Sequence, residues 1–135
     1  IYGAVQGGHR FLQVGNDTNT EAQGDDLLIR LFEEGGTSAS VQVEGEGKVL
    51  AVLPDDDKGS RHQRFIIELD SGQTLLIAHN IDEAPRVENL QKGDIIKFSG
   101  EYEWNPEGGV IHWTHRDSSG RHPHGWIIHE ERKYW

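Results

Sequence analysis

A chain of 135 residues with 34% hydrophobic content and 17 glycines has room for one domain, and that balance suits short strands joined by tight turns better than packed helices. Its 13 basic residues against 23 acidic ones leave a formal charge of −10, a sign that repels phosphate backbones and anionic membranes, so nucleic acid is disfavoured as a partner. The absence of Cys excludes disulfide and thiolate chemistry, and no apolar run approaches membrane-spanning length.

The chain opens at Ile1 and contains no Met. Removal of a signal peptide leaves such a start, so the protein is expected to be exported, periplasmic or extracellular, and soluble when mature. Residues 1–24 read as an extended arm. Tyr2, Val5, Phe11, Leu12 and Val14 are strand-prone, but glycines interrupt them and a polar linker follows. Asp25 reads as a helix N-cap with acidic Asp26 behind it. Leu27, Leu28, Leu31 and Phe32 then fall on one stripe, and Gly35 and Gly36 supply the stop. One short amphipathic helix over 25–34 is predicted.

From Val41 the period becomes that of a strand. Val41 and Val43 lead through Gly45 and Gly47 into KVLAVL at 48–53, and PDDDKGSRH turns the chain with Gly59 as its permissive residue. RFIIEL returns antiparallel over 64–69, DSG makes a tight turn at 70–72, and QTLLIAHN over 73–80 is the third strand. Residues 82–92 have room for one helical turn. In DIIKFSGEYEW, Ile96, Phe98, Tyr102 and Trp104 alternate with polar residues, and Gly100 marks a bend. NPEGG turns the chain at 105–109 and VIHWTH over 110–115 is the fifth strand.

Three strands, a linking segment and a hairpin are the order of a five-stranded, OB-like Greek-key barrel, against a generic antiparallel sandwich. The predicted organisation is mainly β: an N-terminal arm, 1–24, then a single domain, 25–135. Within that domain the helix covers 25–34, the barrel 41–115, and a tail over 116–135 wraps across the barrel and closes it.

Histidine offers the first candidate chemistry. His112 and His115 stand three apart, which on a regular strand puts them on opposite faces unless a bulge intervenes. His115 and Asp117 share a face, as do His122 and His124 in an extended HPH segment. A mixed site from these five residues is the candidate for a divalent metal and, with an open position, for activating water. The competing reading has the imidazoles bonding backbone carbonyls and stacking on Trp113 and Trp126. His62, His79 and Asn80 form a second group that an antiparallel pair need not bring together. Asp55 and Asp57 open a weak calcium candidate, but the twelfth position of an EF-type loop is Ile66, which cannot ligate. Trp104 and Trp113 flank the last hairpin and are expected to pair across it.

The segments VLPDDDKGSRHQRFI, LLIAHNIDEAPR, GDIIKFSGEYEWNPEGGVIHWTHRD and GRHPHGW are long and unusual. On them the chain, from about Val41 to Tyr134, resembles a family of small exported bacterial proteins of unknown function. The resemblance implies a signal peptide, an OB-like barrel and no established activity or catalytic residues. It takes in the helix loosely and leaves residues 1–24 outside.

An arm outside the compact unit suggests a partner: another copy of the chain. The leading expectation is an exported, self-associating structural subunit whose arm adds a strand to its neighbour and propagates into an extracellular filament. The alternatives are a metal-dependent, nuclease-like hydrolase at the C-terminal histidines and a monomeric periplasmic binding module with an aromatic patch. No cofactor is required by any motif beyond that divalent metal.

Overall fold

The computed structural model describes residues 20–36 and 40–135. One helix, α1 (Thr20–Glu33), precedes seven strands: β1 (Val41–Asp56), β2 (His62–Glu68), β3 (Thr74–Asn80), β4 (Ile95–Glu103), β5 (Val110–His112), β6 (Trp126–His129) and β7 (Arg132–Tyr134). No described helix is long and apolar enough to cross a membrane.

Five of the strands close on themselves. β1 pairs with β2, β2 with β3, β3 with β5, β5 with β4, and β4 returns to β1; every pairing is antiparallel except β3 with β5, which is parallel. β1 can serve two neighbours because it is long and bent. Its first half ladders on β4 from Val41↔Tyr102 to Lys48↔Ile95, and its second half on β2 from Lys48↔Glu68 onward. Register shifts at Val49/Ala51 and Leu53/Asp56 supply the bend, the second across Pro54, which lacks a ladder donor. The ladder of β4 on β1 runs through Gly100 without a register shift, so no bulge stands there. A Cβ on Gly100 would instead stand 2.5 Å from the His112 carbonyl oxygen, so its glycine admits the close approach of β5.

Strict alternation puts Phe65, Ile67, Leu75, Ile77, Ile96, Phe98 and Ile111 inside the ring, all fully buried or nearly so. α1 covers this core with Leu28 and Leu31, and Leu27 packs at the margin. The helix begins at Thr20, so Asp25 lies inside it and is not its N-cap; residues 20–24 belong to the helix rather than to an arm. Gly24 made the sequence look like a helix boundary. Its role is contact: a Cβ there would lie 2.2 Å from the Glu44 carbonyl of β1. Gly35 and Gly36, both left-handed, end the helix as expected.

The tail does not close the ring, because β1 on β4 already does. β6 pairs with β4 at Ile96↔His129 through Ser99↔Trp126, and β7 pairs with β6, so the tail is a hairpin added to β4. Residues 82–92 contain no helix. The Gln63 side chain holds this segment from both sides, donating to the Val87 carbonyl at 3.0 Å and accepting from its N–H at 2.9 Å. Arg61 pairs with Asp82 at 3.0 Å, and Arg86 with Asp55. Trp104 and Trp113 do not meet: Trp104 lies against Phe32 of the helix and donates to its carbonyl at 3.1 Å.

Candidate functional site

The register of β2 on β3 sets His62 opposite Asn80 and Gln63 opposite His79. The DSG turn at 70–72 dictates this pairing, since each step away from the turn on one strand is matched on the other. His62 and Asn80, which the strand order alone left apart, therefore meet at one end of the ring.

β5 reaches the same end, because it runs parallel to β3. It stops at His112, three residues short of the expected strand. Trp113 follows with φ 59°, left-handed backbone that a bulky residue rarely adopts. Packing enforces it: a Cβ on Gly125 would stand 1.9 Å from the Trp113 carbonyl oxygen, and Gly125 N–H donates to the His115 carbonyl at 2.8 Å. This break cancels the strand alternation. His112, Trp113, His115, Arg116 and Asp117 all line one cleft with His62, Asn80 and Glu83, about 360 Å³ in volume.

Hydrogen bonds assign the protons in this cleft. A carbonyl oxygen only accepts, so a ring nitrogen facing one carries the hydrogen. His62 Nδ1–H donates to the Ser60 carbonyl at 3.0 Å and His115 Nδ1–H to the Arg116 carbonyl at 2.7 Å. In the neutral form each is left with an Nε2 lone pair. His122 likewise donates Nδ1–H to the Pro123 carbonyl at 2.8 Å, but its Nε2 faces Glu101 Oε2 at 3.2 Å, so it donates to both oxygens only as an imidazolium. Its ring stacks on Trp113 at 3.9 Å between centroids, and the His115 ring lies 4.9 Å from the same indole. His112 Nε2 sits 3.7 Å from both Glu101 and Glu103, too far for a hydrogen bond.

His79, beneath the cleft, is the counter-case. It is fully buried; Thr114 hydroxyl donates to its Nδ1 at 2.7 Å and its Nε2–H donates to the Pro85 carbonyl at 2.9 Å. Burial pushes its pKa down to about 4, so it is neutral and structural.

The five expected metal ligands gather in this region without converging on one point. Asp117 spends its carboxylate on its own loop: the Ser119 hydroxyl and N–H, with the His122 and Arg121 N–H groups, donate to it and hold its pKa down to about 2. His124 Nδ1 accepts from the Asp117 N–H at 3.1 Å, and its ring stands edge-on to Trp135. Among the described residues, the group of three donors lying within 4.8 Å of one another is Asp94, His129 and Glu130, which the sequence reading did not single out. Asp55 is taken by Arg86, and neither it nor Asp57 belongs to such a group. The aromatic patch is also occupied: Lys133 lies 3.8 Å over the Trp135 ring and 5.2 Å over that of Trp126. Tyr2, Val5, Phe11, Leu12 and Val14 lie outside the described residues.

A family model described as "Protein of unknown function (DUF3465)" matches residues 11–135. The chain belongs to the DUF3465 family. The match begins at Phe11, so residues 11–24, expected to fall outside the family unit, are part of it, and residues 1–10 lie outside the match. No curated protein matches the chain at a significant level.

Proposed function

We propose that the ring is an OB-like Greek-key barrel and that its histidine cleft binds a neutral, hydroxyl-rich ligand of the saccharide class. The pairing order, with one strand shared between two neighbours and the third and fifth strands parallel, supports the barrel reading. Barrels of this kind take oligonucleotides or oligosaccharides on the face of the second and third strands, and a charge of −10 weighs against the first.

The observation that carries the ligand class is the pair of pinned imidazoles. His62 and His115 present Nε2 lone pairs to the same cleft as the Glu83 carboxylate. Acceptors so arranged attract hydroxyl protons, and the Asn80 amide and the Arg116 guanidinium supply donors in return. The volume of about 360 Å³ is at the small-ligand end of binding pockets. Isothermal titration with a panel of neutral mono- and oligosaccharides tests this. Saturable binding, weakened about tenfold or more by His115→Ala and Asn80→Ala and unchanged by His124→Ala, is expected; a tenfold loss corresponds to about 1.4 kcal/mol, one good hydrogen bond. A panel without saturable binding overturns the reading.

A second reading, the exported self-associating subunit, draws on a different place. A groove of about 770 Å³ runs beside Asp25, Asp26 and Ile29 of α1 and Glu46–Lys48 of β1. Over residues 41–47, β1 is laddered on β4 alone among the described residues, leaving its other edge as a place for an added strand. Residues 1–19 of a second copy would supply that strand. Sedimentation of the full chain against one lacking residues 1–19 tests it, and monomeric behaviour of both removes it.

A further inference from the structure

At the opposite end of β4 from the cleft, the start of β4 and the β6–β7 turn bring three ionisable side chains together. Asp94 immediately precedes β4, and its Oδ2 accepts from His129 Nε2–H at 2.8 Å and from Gln91 N–H at 2.9 Å. Glu130 follows His129, and one donor atom from each of the three residues lies within 4.8 Å of the others.

Two features mark this cluster as more than a surface ion pair. His129 is 1% exposed, and its second nitrogen, Nδ1, is buried without a partner. A buried polar atom left unpaired is destabilising, so the imidazole occupies this position at a penalty that one bond to Asp94 offsets only in part. Glu130, beside the Asp94 carboxylate, makes no hydrogen bond or ion pair with any described residue. The His129 bond, with that from the Gln91 N–H, holds the Asp94 carboxyl below its ordinary range, so it stands as a carboxylate beside the uncommitted one of Glu130.

We propose that Asp94, His129 and Glu130 form a site for a divalent first-row metal ion of the Zn²⁺ type. One imidazole with two carboxylates is a mixed nitrogen and oxygen donor set suited to such an ion, whereas Ca²⁺ and Mg²⁺ favour all-oxygen shells. The ion takes the Nε2 lone pair. The proton now shared with Asp94 leaves that nitrogen and Nδ1 takes one up, so the imidazole stays neutral, and no hydrogen bond has to be broken at Nδ1 to receive it. Asp94 and His129 are already in contact, so the exposed Glu130 is the group that closes. Metal at this place ties the C-terminal hairpin to the start of β4, and through it to β1, since Val49 N–H donates to the Asp94 carbonyl at 2.8 Å.

Full-length protein stripped with chelator and titrated with ZnCl₂ by calorimetry tests the site, read together with the thermal midpoint. Expected is binding that raises the midpoint and that Glu130→Gln weakens at least tenfold. Glu130 is exposed, so this variant keeps the fold. His115→Ala, in the cleft, is expected to leave Zn²⁺ affinity unchanged. Absence of binding, binding indifferent to Glu130→Gln, or binding lost only in His115→Ala each overturns the proposal, the last by placing the ion in the histidine cleft instead.

Discussion

His79 and His115 lie at the same end of the molecule and do opposite things. His79, on β3, has both ring nitrogens committed, one to Thr114 and one to Pro85, and no exposure at all. His115, beyond the end of β5, has one nitrogen committed to a carbonyl and lines a cleft. An imidazole with two fixed partners is a rivet between β3, the segment that follows β5 and the loop over them. An imidazole with one fixed partner is oriented yet still able to bind. The difference arises from the backbone: β3 is a regular strand, and the segment carrying His115 is thrown off the strand by Trp113.

The comparison breaks most sharply at Gly125, which holds the open half in place. A Cβ there meets backbone on both sides, the Trp113 carbonyl at 1.9 Å and the Ser99 carbonyl at 2.7 Å, and neither is the end of a flexible side chain. Gly125→Ala is expected to lower unfolding stability by about 3 kcal/mol or more in denaturant titration. A loss below about 1 kcal/mol would mean that this packing does not set the Trp113 conformation.

Removing the rivet comes next. His79→Ala leaves a cavity, a Thr114 hydroxyl and a Pro85 carbonyl without partners, and should cost about 3 kcal/mol. Its pH dependence has a definite sign. The folded-state pKa, about 4, lies below the ordinary 6.5, so the unfolded chain takes up the proton first. The stability contributed by neutral His79 is complete above pH 6.5, declines as pH falls toward 4, and is flat below; with about 1.4 kcal/mol per tenfold change in proton affinity, the loss is roughly 3 kcal/mol. His79→Gln should lack that slope between the two pH values. A slope equal to the wild type's would assign the titration elsewhere.

His62→Ala sharpens the other side. This half-exposed residue makes one bond, to the Ser60 carbonyl, so its loss should lower stability by less than about 1 kcal/mol while weakening any ligand of the cleft. Equal stability losses at His62 and His79 would erase the distinction between the two kinds of histidine.

The same contrast governs what could be read from the sequence. RFIIEL and QTLLIAHN alternate cleanly around a DSG turn, so β2, β3 and their buried faces were legible, and the turn carried enough information to pair His62 with Asn80. A five-stranded ring was legible too, but not the pair that closes it, because the bend lies in β1 at register shifts around Leu50 and Pro54, where the pattern VLAVLP looks like continuous apolar strand. The cleft was hidden for a related reason. Strand alternation does not carry through Trp113, because a single left-handed residue reverses the face of everything after it. The helix start is not legible, because Gly24 and Asp25 resemble a boundary. What they mark is contact with β1, a tertiary reason with no local signature.

The smallest expected effect concerns the last turn. β6 and β7 pair at His129↔Arg132, leaving Glu130 and Glu131 as a two-residue loop, with φ values of 53° and 68°. A hairpin loop with both residues left-handed is ordinarily built from Asn and Gly, and left-handed backbone disfavours a residue with a Cβ by about 1 kcal/mol or somewhat more. Both acids are exposed, so neither is held there by core packing. Glu131→Gly relieves the conformation at the position outside the Asp94 cluster and also separates two like charges. It should raise unfolding stability by up to about 1 kcal/mol, partly offset by the greater freedom of glycine in the unfolded chain. The gain should be the same with or without Zn²⁺, because Glu131 contributes no donor to the cluster. A gain confined to the metal-free protein would tie Glu131 to the ion as well, moving the strain of this turn from the hairpin to the site beside it.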